Sequence, residues 1–305
     1  MEERGTSPLP SRPRVVGEVL LDRFTQDGAN VLGGAPFNVA WHLQGFGLQP
    51  LLISRVGEDA LGTLVVEAME GWGMDTTAVQ HDRTHPTGVV DIEVRDGQPT
   101  FDICAGAAYD FIEGTAVDDA LRGGNWSLLY HGSLASRHPV SRDALASIRR
   151  STGIPAFVDI NLRAPWWEPD AAREMLHGQR WVKLNEEELT TLLGDPGSTV
   201  FAAAQAARSR FDIGWLLVTL GAEGALAVAA DRWTRADPVQ VETLVDTVGA
   251  GDAFSAVTIL GLVSGWQTET ILARASAFAA AICGVRGATV ADPAFYQHHL
   301  DTWGT

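Results

Sequence analysis

Trp181–Asn185 (WVKLN), Glu186–Leu193 (EEELTTLL), Thr199–Phe211 (TVFAAAQAARSRF) and Trp215–Gly221 (WLLVTLG) follow one another in a single stretch of the chain. The first and last are short, apolar and without alternation, as suits strands buried on both faces; the two between them suit helices. The same pattern extends outward. Val15–Leu21, Leu51–Gly57, Trp126–Ser133 and Ala156–Arg163 read as further strands, and Arg142–Arg150 as a helix. Strand, helix, strand repetition predicts an α/β fold with a mainly parallel sheet covered on both sides. Thr87–Arg95 (TGVVDIEVR) departs from this rule. It alternates in its second half, Asp96-Gly97 is a turn signal, and Pro99–Cys104 follows as another strand. An antiparallel hairpin outside the main sheet is therefore expected, as a lid or small accessory sheet.

At 305 residues the chain is long enough for two domains of about 150 residues, or for one large α/β domain with a small accessory element. A content of 46% hydrophobic and 20% charged residues is that of a globular protein. No apolar run reaches the length of a membrane span. The opening MEERGTSPLPSRPR carries acidic residues and prolines, so residues 1–13 read as a disordered leader and not as a signal peptide. A cytoplasmic protein is expected. The formal net charge of −16 disfavours nucleic-acid and anionic-membrane partners, which need a net basic face. Lys183 is the only lysine, and Leu184 follows it, which excludes a Walker-type phosphate loop. Cys104 and Cys283 are too few to build a zinc site and read as packing residues. There is no HExxH and no GxSxG.

Polar residues collect at the ends of the expected strands: Asp159, Asn161 and Arg163 after one, Asn185 and Glu188 after the next, Thr219 and Gly221 after a third. Open parallel sheets bind ligands at that rim. Val248–Ser264 is apolar or small except for Asp252. A helix apolar on all sides is buried, and an ionised group within it is costly unless it has a partner or a task. Gly249-Ala250-Gly251 puts a small-residue turn at the helix start, where backbone N–H groups attract an anion such as phosphate. A carboxylate beside an anion hole suits phosphoryl transfer to an alcohol. The competing reading is a helix-start residue beside a glycine turn. Gly33-Gly34 allows close approach to a ligand, and Pro36 starts a helix with Asn38 in its first turn. Asp22 has the chemistry to bind a pair of sugar hydroxyls, although a lone carboxylate there also suits a solvated strand end.

Two of these stretches resemble the signatures of the ribokinase-like (PfkB) carbohydrate kinases. Gly33–Ala40 (GGAPFNVA) resembles the N-terminal one and Asp246–Phe254 (DTVGAGDAF) the C-terminal one. Gly17–Asp22, Asp159–Arg163, Lys183–Glu188 and Val218–Ala225 extend the likeness over nearly the whole chain after the leader. The resemblance implies a three-layer α/β/α core over residues 14–305, with a discontinuous β lid within about 22–33 and 87–108. It implies ATP and Mg2+, with K+ as a further ion. Asp252 would be the base, with Gly249, Ala250 and Gly251 as the anion hole. Asp22, Gly33, Gly34, Asn38 and Arg163 would hold the sugar. Asn185 and Glu188 would organise magnesium and the triphosphate, Glu188 through water, the alternative being that they only cap the helix beginning near Glu186, and Thr219, Gly221 and Gly224 would border the nucleotide. Asp246 and the carbonyl of Val248, with the loop at Val285–Gly287, fall where relatives bind a monovalent cation.

Gly17–Asp22, Gly33–Asn38, Asp159–Arg163 and Pro99–Ile112 look most like bacterial fructokinases, making fructose the first expectation. 2-Keto-3-deoxygluconate, ribose and nucleosides are the alternatives. A non-catalytic sugar-responsive regulator would have lost Asp252 or its glycines, and both are intact. A dinucleotide-binding oxidoreductase would carry GxGxxG after the first strand, where none occurs. Many relatives have an asparagine near the adenine where Arg274–Ala281 offers only Ser276, so a differently built base site is expected. The short Asp22–Gly33 loop predicts a small lid, which argues against dimerisation through the lid while a homodimer formed otherwise stays open.

Overall fold

In the computed structural model the described residues are 11–24, 26, 30–95, 98–114, 125–194 and 199–304. The first half of the chain runs β1 (Arg12–Val16), β2 (Leu20–Phe24), β3 (Asn30–Gly33), α1 (Ala35–Gly45), β4 (Leu51–Gly57), α2 (Ala60–Gly71), β5 (Val79–Asp82), β6 (Gly88–Arg95) and β7 (Gln98–Ile103). There follow β8 (Trp126–His131), α3 (Pro139–Thr152), β9 (Ala156–Asp159), α4 (Pro169–Leu176), β10 (Trp181–Asn185), α5 (Glu186–Leu193) and α6 (Val200–Arg210). The remainder is β11 (Trp215–Thr219), β12 (Ala225–Val228), β13 (Trp233–Ala236), α7 (Ala250–Ser264), α8 (Thr268–Ile282) and α9 (Pro293–Trp303).

Nine strands form the large sheet in the order β13-β12-β11-β10-β9-β8-β1-β4-β5. Pairing is parallel from β11 through to β5, and the β11–β12 and β12–β13 pairings are antiparallel. Side chains alternate across this sheet, as the two-residue period of a strand requires. Phe157 and Leu217 enter a core with α1, α2, α7, α8 and α9, while Val158, Leu216 and Val218 enter another with α4, α5 and α6. Helix α3 packs Leu145 and Ile148 against Leu51, Ile53 and Leu129. Three layers result, with α7 central to one of them: every residue from Ala253 to Gly261 is buried.

The small sheet has the order β3-β2-β6-β7 and its own core of Leu20, Val90, Ile92, Ile103 and Tyr109. Its hairpins β2–β3 and β6–β7 are antiparallel, as expected, and the β2–β6 pairing that joins them is parallel. The Asp96-Gly97 turn and residues 1–10 of the leader lie outside the described residues. Strand β1 begins at Arg12, so residues 12 and 13, expected in the leader, belong to the large sheet. A second correction concerns Val15–Leu21, expected as one strand. It divides into the end of β1, a crossing at Gly17–Val19 and the start of β2, because the chain there leaves the large sheet for the small one.

Helix α2 is tied to the root of β6 by a single carboxylate. Asp59 Oδ1 accepts from Gly62 N at 2.8 Å and Thr87 Oγ1 at 2.7 Å, and Oδ2 accepts from Thr87 N at 2.8 Å. Partial burial opposes ionisation, and these hydrogen bonds outweigh it, holding the Asp59 carboxyl below its ordinary range. A depressed carboxylate contributes stability above its unfolded-state pKa that is lost as pH falls through the folded one. Asp59→Ala should therefore cost about 1–3 kcal/mol in urea denaturation at pH 7, with the gap to wild type narrowing as pH is lowered through the carboxylate range.

Candidate active site

The carboxyl ends of β9, β10 and β11 form one rim of the large sheet, and the small sheet stands beside it. Asn185 closes β10 and is in register with Thr219, which closes β11. Next to Thr219 a turn at Gly221–Glu223 leads into Gly224, so the three residues expected to border a nucleotide lie together with Asn185. Arg163, beyond β9, is exposed.

Beneath this rim lies a buried ion pair. Lys183 Nζ donates to Asp159 Oδ1 at 3.0 Å and to Oδ2 at 2.8 Å, and Ser255 Oγ donates to the same Oδ2 at 2.8 Å. Burial works against the Lys183 charge, but Asp159 and Glu188 outweigh it and raise its pKa above the ordinary value. Strands β9 and β10 and helix α7 are thereby joined through one carboxylate. The first turn of α7 rests on this pair: a Cβ on Gly251 would stand 3.2 Å from Lys183 Nζ.

Gly249 caps α7 with φ +80, a left-handed conformation, and a Cβ there would meet Ala288 at 2.5 Å, so glycine is required on both counts. Of the three amides expected to form the anion hole, that of Ala250 turns back to Thr247 O at 3.3 Å. Asp252 follows in the first turn, partly buried, and accepts from Asn38 Nδ2 at 2.8 Å. Burial pushes its carboxyl up to about 6, with Asp159 adding to the rise and Asn38, Lys183 and Arg163 opposing it.

Asn38 is carried here by α1, whose cap Gly34 has φ +104. A Cβ at Gly34 would come within 2.7 Å of the Glu18 carbonyl oxygen. Gly33 lies against Asp22, its notional Cβ 3.1 Å from Asp22 Oδ2. Burial raises Asp22 to about 6; the Arg163 charge lowers it and that of Asp246 raises it. Arg163 acts on Asp22, Glu18 and Asp252 alike. Gly33 is thus packed on Asp22 and Asn38 on Asp252, and the Arg163 charge reaches both carboxyls, so residues of five different segments are brought together.

Asp246 joins the loop before α7 to the one after α8. Its Oδ1 accepts from Val248 N at 3.0 Å and its Oδ2 from Gly287 N at 3.2 Å; Val285 N is turned to Ile282 O. Glu188 has a structural task of its own. Its Oε2 accepts from Asn185 N and its Oε1 from Leu162 N, both at 2.8 Å, while Asn185 Oδ1 accepts from Glu188 N. This capping box starts α5 and anchors the segment after β9. Burial first, then Asp159, raises the Glu188 carboxyl, against Lys183 and its two amide donors.

Sequence reasoning passed over Glu18, Tyr109 and the ion-pair role of Lys183. Glu18 did carry a signal, since it is the one charge in the apolar run Val15–Leu21. Removing the cation from the ion pair leaves a buried carboxylate uncompensated, a change that costs about 3–5 kcal/mol. Lys183→Met is expected to lower stability by that amount in urea denaturation, and a loss under 1 kcal/mol would show that Asp159 is not held by the lysine.

Comparison with known proteins agrees with this geometry. Residues 24–294 match the pfkB family carbohydrate kinase profile. A fructokinase from Escherichia coli is 31% identical over 269 residues, covering 84% of this chain and 86% of the relative. One from Salmonella typhimurium is 29% identical over 94% of this chain and 97% of its own length. The solved fructokinase of Xylella fastidiosa, with bound ATP, superposes with a TM-score of 0.86 at 20% identity, over 97% of this chain and all of that one. A double mutant of Vibrio cholerae fructokinase bound to fructose, ADP and potassium ion gives 0.79 at 25% identity, over 97% of this chain and 100% of its own. The large, mostly parallel sheet with its small companion is the ribokinase-like fold, and the chain belongs to the PfkB family of carbohydrate kinases.

Proposed function

We propose that this chain is an ATP-dependent fructokinase that moves the γ-phosphoryl group of ATP to a hydroxyl of fructose. The observation that carries the reading is the Asp252 carboxylate, in the first turn of a buried helix, held by Asn38 and within reach of the Arg163 charge that also acts on Asp22. Relatives named fructokinase support the choice of sugar. Asp22, Asn38, Arg163 and the backbone at Gly33 and Gly34 hold the acceptor. Asp252 takes the proton of its hydroxyl, the oxygen attacks the γ-phosphorus, and the bond to the bridging oxygen breaks to release ADP. The N–H groups at Gly249, Ala250 and Gly251 meet the charge on the moving phosphoryl, Ala250 exchanging its contact with Thr247 for the substrate. Asn185, Thr219, Gly221 and Gly224 border the nucleotide, and the small sheet covers the sugar as a lid that excludes water.

Among the described residues no group of three or more His, Cys, Asp or Glu side chains could hold a metal ion. Magnesium therefore fits as an ion that arrives on the phosphates and keeps its waters, the usual habit of that ion. Both Glu188 oxygens already accept a backbone N–H, so Glu188 would reach it only through water. Bound there, magnesium supplies charge neutralisation on the phosphates. Asp246 draws Val248 and Gly287 together, the juxtaposition a monovalent ion such as K+ would use.

Asp252→Asn is expected to keep most sugar and ATP binding while turnover falls about 10²–10⁴-fold. Near-normal turnover would remove Asp252 as the base. Because Asp252 must be ionised and stands near 6, kcat/KM for the sugar should rise with pH through about 6 and drop on its acid side. ADP release measured across fructose, ribose, 2-keto-3-deoxygluconate and a nucleoside, with ATP and magnesium, should be fastest with fructose. Faster turnover of another acceptor would overturn the assignment of substrate.

A further inference from the structure

Glu18 stands at the crossing between β1 and β2, where the chain passes from the large sheet to the small one. It is 3% exposed. Its own backbone N–H bonds the carboxyl group, and Oε2 has no hydrogen-bond partner among the described residues. The close approach of Gly34 to the Glu18 carbonyl fixes the backbone here against the start of α1.

The surroundings are those of the acceptor space. Arg163, Asp252 and Arg137 all act on the Glu18 charge, and burial outweighs the two arginines, leaving the carboxyl at about 7. Three other buried polar atoms close by also lack partners: Asn38 Oδ1, Tyr109 Oη and Arg137 Nη1. Asn38 is bonded to Asp252 through its other end, and the Arg137 guanidinium lies 5.1 Å from the Tyr109 ring centre. Buried polar groups are almost always paired, because an unpaired one keeps the cost of its lost hydration. Four together beside a base mark a surface completed by a ligand with several hydroxyls.

We propose that Glu18 binds a non-reacting hydroxyl of the acceptor and selects neutral sugars over acidic ones. The inference rests on the sugar-kinase reading above. A hydroxyl both donates and accepts, so it pairs with a carboxyl group in either protonation state. A sugar acid instead brings a carboxylate into a space already lined by Glu18, Asp22 and Asp252. Of the two arginines, Arg137 has its charge paired with Asp110, bonding both its oxygens at 2.7 and 2.9 Å, and keeps only Nη1 for a ligand. Lys183, which also acts on Asp252, is committed to Asp159, so Arg163 is left as the main charge to offset three carboxyl groups and an acidic ligand.

Glu18→Leu and Glu18→Gln test this with fructose and 2-keto-3-deoxygluconate, read by steady-state kinetics and by the shift in melting temperature that each sugar produces without nucleotide. In Glu18→Leu the fructose KM should rise about tenfold or more, the scale of one hydrogen bond to a charged group, with the ATP KM within about twofold of wild type. The melting temperature of its sugar-free form should hold or rise, since a buried carboxyl with one unpaired oxygen has been removed. Glu18→Gln should restore most of the fructose affinity and raise use of the acid relative to fructose by about tenfold. An unchanged fructose KM in Glu18→Leu overturns the proposal, as does a lowered melting temperature with both substrates weakened equally. If the leucine variant does not fold, the glutamine variant decides, an unchanged acid-to-fructose ratio counting against the proposal. A wild-type protein that fructose stabilises but that does not phosphorylate it overturns the kinase reading instead, and Glu18 is then judged on the melting shifts. One that neither neutral nor acidic sugar stabilises overturns the proposal as well.

Discussion

The ion pair between Lys183 and Asp159 is the constraint on which the site depends. It is buried, and Ser255 on α7 shares one of its oxygens. A buried pair is a poor source of net stability, because dehydrating both charges offsets most of their attraction. Its contribution here is positional. The carboxylate fixes how far α7 stands from β9 and β10, and the ammonium group lies directly under Gly251, one residue before Asp252. A single lysine in a chain of net charge −16 is thus placed where the backbone presents its helix N-terminus to an anion.

The second half of the site is set by the crossing between the sheets. Gly17–Val19 carries the chain from β1 to β2, and β3 brings it back to Gly33 and Gly34 at the start of α1. Asp22 and Asn38 are therefore delivered to the same space by two ends of one excursion. Their neighbours Glu18 and Asp252 are raised chiefly by burial, as Asp22 is, to about 7, 6 and 6. Carboxyl groups pushed toward neutrality in one cleft are a mark of a functional site, where proton transfer near pH 7 needs them.

Most of the fold was legible in the sequence because its strands are buried on both faces and helices such as α3 and α5 bury one face only. WVKLN, EEELTTLL and WLLVTLG fall on β10, α5 and β11 with ends within two residues of those expected. The site was legible where a charge interrupts an apolar run beside glycines, as at Asp252. Two features were hidden for physical reasons. Val15–Leu21 reads as one strand because both sheets bury it, and composition cannot mark the point where a chain changes sheets. The Lys183–Asp159 pair spans 24 residues and depends on the parallel register of β9 with β10, which no local pattern encodes.

The central claim is that the start of α7 joins acceptor and phosphate in one place. A crystal structure with fructose and a non-hydrolysable ATP analogue tests it most directly. A sugar hydroxyl about 2.6–3.2 Å from the Asp252 carboxylate, with the terminal phosphate against the amides of Gly249–Gly251, is the predicted result. Fructose bound with no hydroxyl near Asp252, or a terminal phosphate away from that turn, would contradict the account.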